Sequence, residues 1–77
     1  MEGITVPLAM VTSEKEVTLI ATVGGRGIQS RLFSMGLVPG VKIKVLSNSG
    51  AGPLMVAVKD TRLALGRDMA YKIIVEQ

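Results

Sequence analysis

Residues 31–46, RLFSMGLVPGVKIKVL, run from a turn of helix through two glycine corners and out along an alternating strand. Just upstream, Ile28 joins Leu32 and Met35 at i, i+4 and i+7, one apolar stripe of a short helix. Arg31 flanks that stripe, while Gln29, Ser30 and Phe33 point away from it. The helix must stop by Gly36. At C′ a glycine takes the left-handed conformation without a side-chain clash, and Leu37 at C″ then meets Leu32 as its apolar partner. The expected bonds run from the Leu37 N–H to the Leu32 carbonyl and from the Gly36 N–H to the Phe33 carbonyl. Pro39-Gly40 suits the centre of a type II turn, because proline presets φ and glycine accepts the positive φ that follows. Leu32, Gly36, Leu37, Pro39 and Gly40 are therefore read as structural residues. In the strand beyond, Val41, Ile43 and Val45 face one side, and Lys42 and Lys44 the other.

The same patterns extend in both directions. Residues 16–23 alternate Val17, Leu19, Ala21 and Val23 against polar neighbours, with Ile20 alone breaking the period. Residues 4–8 suit an edge strand, since Pro7 has no N–H for a central ladder. Downstream, 47–53 is a loop by composition, and Leu54, Val56 and Val58 make a strand. Lys59-Asp60 is short enough for a hairpin turn, and Thr61, Leu63 and Leu65 return antiparallel. Residues 67–71 look like a helical turn, and Ile73 and Val75 form a last strand. The expected fold is mainly β: a small antiparallel barrel of five to six strands, with one short helix near 27–35 and a helical turn near 67–71. Closure would remove the exposed strand edges.

The 77 residues suit one domain, 1–77, with 48% hydrophobic and 19% charged residues. A core of this size leaves only about 3–5 kcal/mol of net stability. Cysteine and histidine are both absent, so disulfides, thiolate metal sites and the usual general base are missing. The six carboxylates, at Glu2, Glu14, Glu16, Asp60, Asp68 and Glu76, show no catalytic spacing. The expectation is a protein that is not an enzyme and carries no cofactor or metal. Met10, Met35, Met55 and Met69 are read as core filler rather than metal ligands, since a flexible thioether fills irregular core gaps. Met1-Glu2 opens without a basic region, and no apolar run approaches the roughly 18 residues of a membrane span. A soluble, cytoplasmic protein is expected.

Leu32-x-x-Met35-Gly36-Leu37-x-Pro39-Gly40, the lysine-flanked strand, Gly52-Pro53, residues 54–58, Leu63-Ala64-Leu65 and Ala70-x-x-Ile73-x-Val75 come in the order and spacing of a known family. Over roughly residues 12–76 the chain resembles the FeoA family, ferrous iron transport protein A. It departs from the family at Met35, where leucine is usual, in the loop before Pro53, and at Arg67, which follows Gly66 rather than the leucine. The resemblance implies an SH3-like barrel. It also implies a role as accessory to FeoB, a membrane ferrous-iron permease with a GTPase domain, reached from the cytoplasmic face of the membrane.

Three features bear on how such a module would act. Gly24-Gly25-Arg26-Gly27 reads as a flexible strand-to-helix connection, lacking the lysine and hydroxyl that end a phosphate-binding loop. Phe33 is either covered by a neighbouring loop or an exposed anchor for a partner, with Arg26, Gln29 and Ser30 on the same helical face. Lys42 and Lys44 are either a solvated strand face or an electrostatic patch for an acidic partner. These six residues are the candidate docking surface. The alternative function is a small nucleic-acid-binding barrel, permitted by a pI of about 9.7. Base stacking normally uses several aromatics, and the chain has only Phe33 and Tyr71, so nucleic acid is not the expected partner.

Overall fold

The computed structural model describes residues 3–77; Met1 and Glu2, one of the carboxylates counted above, lie outside the described residues. The chain runs through β1 (Thr5–Pro7), a 3-10 turn η1 (Leu8–Met10), β2 (Glu16–Thr22), α1 (Arg26–Ser34), β3 (Lys42–Ser47), β4 (Leu54–Val58), β5 (Thr61–Leu65), α2 (Arg67–Ala70) and β6 (Ile73–Glu76). The strands form one antiparallel sheet in the order β1-β6-β2-β3-β4-β5. Pro7 falls on the outermost strand, where its missing N–H costs no ladder bond.

Closure, expected from the sequence, is not reached: β1 and β5 end the sheet without pairing to each other. β1 has three residues and turns at once into η1, and β5 runs into α2. These two helical turns pack together beside the opening instead. Arg67 of α2 donates through Nη1 to the Ala9 carbonyl of η1 at 3.4 Å.

The alternating residues supply the core. Leu8, Leu19, Leu32, Leu37, Ile43, Leu54 and Ile73 are its largest fully buried side chains, and among the described residues no polar or charged side chain is buried. Ile20 breaks the β2 alternation because it sits at a bulge: Leu19 pairs with Val75 and Ala21 with Ile74, so Ile20 has no partner opposite. The bulge changes which residues face inward, so Ala21 and Val23, expected on the apolar face, are exposed. Two methionines also depart from expectation. Met35 and Met69 pack against the core, but Met10 is 61% and Met55 38% exposed. Met55 lies between inward-facing Leu54 and Val56, so strand parity turns it outward.

Candidate functional site

The corner after α1 is built as its residue types require. The Leu37 N–H donates to the Leu32 carbonyl at 2.9 Å and the Gly36 N–H to the Phe33 carbonyl at 3.0 Å, with Gly36 at φ +85°. The Val41 N–H closes the following turn on the Val38 carbonyl at 3.1 Å, with Gly40 at φ +94°. The Gly40 N–H reaches the Leu19 carbonyl at 2.7 Å, and the Leu19 N–H reaches the Val41 carbonyl at 2.9 Å. The corner is thereby fastened to β2. It orients the helix before it and the lysine strand after it, and it exposes no chemistry of its own.

Leu32 seats α1 on the core, with Ile28 and Met35 partly buried beside it. Arg26, Gln29, Ser30 and Phe33 follow at i, i+3, i+4 and i+7, so they share the opposite face. All four are exposed, Phe33 by 41%. Phe33 is thus not fully buried by any neighbouring element among the described residues. The helix has no side-chain N-cap bond and no acidic residue in its first turn.

Lys42 and Lys44 stand elsewhere, on the outer face of the sheet opposite Thr18 and Glu16 of β2. Lys44 also pairs across to Ala57 of β4, and Leu46 bulges out of that ladder. This register adds a third cation, Lys59 from the β4–β5 turn, and the three lysines wall a groove of about 520 Å³. Gly40, Val41 and Ala57 supply its apolar lining, and Glu16 is the one carboxylate among its lining residues. None of the α1 residues lines it. The six candidate residues thus occupy two surfaces. Lys44 lies 3.9 Å from Glu14, an exposed pair of the kind that contributes little. From Val17 to Lys59 the chain has no carboxylate at all.

A polar clasp around Asn48 was not anticipated. Its Nδ2 donates to the carbonyls of Ala9 at 3.0 Å and Val11 at 2.7 Å, and its Oδ1 accepts from Arg67 Nη2 at 2.6 Å. Arg67 Nε also donates to the Gly52 carbonyl at 3.3 Å. The departure at Arg67 thus ties loop 48–52 to η1, a structural use of the cation. The sequence held one signal: Asn48-Ser49-Gly50 is an Asx-turn sequence, and the Gly50 N–H donates to Asn48 Oδ1 at 3.1 Å. Among the described residues, no group of three or more carboxylate, histidine or cysteine side chains is placed to hold a metal ion. No helix among them is long and apolar enough to cross a membrane.

Comparison with known proteins adds independent findings. A family model described as the FeoA domain matches residues 6–77. A Methanocaldococcus jannaschii protein provisionally named Fe(2+) transport protein A is 40% identical over 70 residues, 91% of this chain and 84% of that protein. The crystal structure of an iron uptake regulatory protein, FeoA, superposes with a TM-score of 0.90 at 32% identity, covering 95% of this chain and 97% of that one. The zinc complex of Stenotrophomonas maltophilia FeoA, described as an SH3 domain protein, superposes with a TM-score of 0.77 at 25% identity, covering 94% and 88%.

Proposed function

The chain belongs to the FeoA family, with an SH3-like fold, and from that premise we propose that it is a non-catalytic accessory of ferrous iron uptake. It works in the cytoplasm, docking on the cytosolic part of a FeoB-type GTPase-permease to support its assembly or activity. The observation that carries this reading is the outer face of α1. Phe33 is 41% exposed on a helix that buried Leu32 holds to the core. Arg26, Gln29 and Ser30 continue its face. An exposed aromatic beside an arginine, on a rigid element, is the composition that interface anchors favour. The description of the Stenotrophomonas maltophilia protein as a candidate ferrous iron transport activating factor points the same way.

The test is ferrous uptake in a strain deleted for this chain. The parent chain is expected to restore uptake, and Phe33→Ala, verified as folded by circular dichroism, to restore it poorly. Full restoration by folded Phe33→Ala would exclude the helix face as the dock. No restoration by the parent would exclude the accessory role.

A further inference from the structure

The lysine groove is a second surface with its own chemistry. We infer that it binds an acidic, extended segment of a partner protein, with Lys42, Lys44 and Lys59 pairing carboxylates and Gly40, Val41 and Ala57 accepting an apolar side chain between them. This deepens the accessory reading and rests on it.

Three observations meet at this site. The first is charge: three lysines line the groove against Glu16 alone, the exposed Glu14 lies 3.9 Å from Lys44 outside the lining, and no carboxylate occurs between Val17 and Lys59. The second is shape: the lysines share the lining of a concave groove with Gly40, Val41 and Ala57 rather than standing on a convex face. A planar membrane reaches a recessed groove poorly, whereas a single extended chain with alternating side chains can lie in it. The groove lining also contains no aromatic residue on which a base could stack. The third is backbone. Lys59 holds φ +56° in the hairpin turn, a conformation suited to glycine or asparagine, yet a lysine occupies it and lines the groove.

The probe is a fluorescein-labelled peptide of alternating glutamate and leucine, titrated with the full chain and followed by anisotropy and amide chemical shifts. Expected is binding that shifts Lys42, Lys44, Ala57 and Lys59 and weakens severalfold between about 0.05 M and about 0.3 M salt. Lys42→Gln/Lys44→Gln/Lys59→Asn should weaken it by at least about tenfold. Lys15→Gln/Arg31→Gln/Lys72→Gln, which removes the same charge outside the groove, should leave it within about twofold. Equal losses in both triple variants would overturn the assignment, as would no peptide binding. So would binding of phosphatidylglycerol-containing vesicles or oligothymidylate at concentrations where the peptide stays free. The assay contains no transporter, so its failure leaves the accessory role standing, and failure of the uptake test leaves the groove result intact.

Discussion

Glycine-to-alanine replacement at positions 36 and 27 makes one chemical change with two opposite outcomes. Gly36 sits at φ +85°, and a Cβ built there meets nothing within 4 Å. The cost of Gly36→Ala is therefore backbone strain alone, about 1–2 kcal/mol for an L residue in the left-handed region. Relaxation is opposed by the two cap bonds at 2.9 and 3.0 Å and by the fully buried Leu37 that follows. Gly27 lies inside α1 (Arg26–Ser34), and its added Cβ also meets nothing within 4 Å. There alanine restricts the unfolded chain and suits the helix, a gain of about 0.5–1 kcal/mol. Urea denaturation reads both. With a slope near 1 kcal/mol per M for so small a protein, the midpoint should fall by about 1–2 M for Gly36→Ala and rise by about 0.5–1 M for Gly27→Ala. A Gly36→Ala variant within about 0.5 kcal/mol of the parent would refute the left-handed cap as a stabilising device.

Other substitutions separate core, clasp and turn. Leu32→Ala empties a fully buried site and should cost about 2–5 kcal/mol, enough to unfold much of the population by circular dichroism. Asn48→Ala removes three bonds that join the loop, η1 and α2 and should cost about 1–3 kcal/mol, with faster amide exchange confined to loop 48–52. Lys59→Gly relieves the left-handed lysine and should raise thermal stability by about 0.5–1 kcal/mol.

What the sequence disclosed followed from how local each feature is. The Gly36 corner was legible down to individual hydrogen bonds and the Pro39-Gly40 turn to the positive φ of Gly40, because proline and glycine encode φ directly. Ile20 visibly broke the alternation, but the bulge behind it and the resulting exposure of Ala21 and Val23 depend on pairing with β6 and were not read. The open seam between β1 and β5 was not legible. Whether two distant strands pair depends on how η1 and α2 fill the gap, and neither turn has a periodic signature. Arg67 and Asn48 are 19 residues apart, so their clasp had no spacing to betray it. The helix face around Phe33 was readable from its 3.6 period. The groove was half readable: Lys42 and Lys44 alternate visibly, but Lys59 joins them only through the β3–β4 register and its bulge at Leu46.

The most direct measurement of the central claim is an amide chemical-shift titration of the labelled chain with the soluble GTPase domain of a FeoB-type permease, the proposed partner, with and without guanine nucleotide. The account predicts shifts centred on Arg26, Gln29, Ser30 and Phe33, and their loss in folded Phe33→Ala. A flat titration in every nucleotide state, at concentrations well above those in the cell, would contradict docking on that domain.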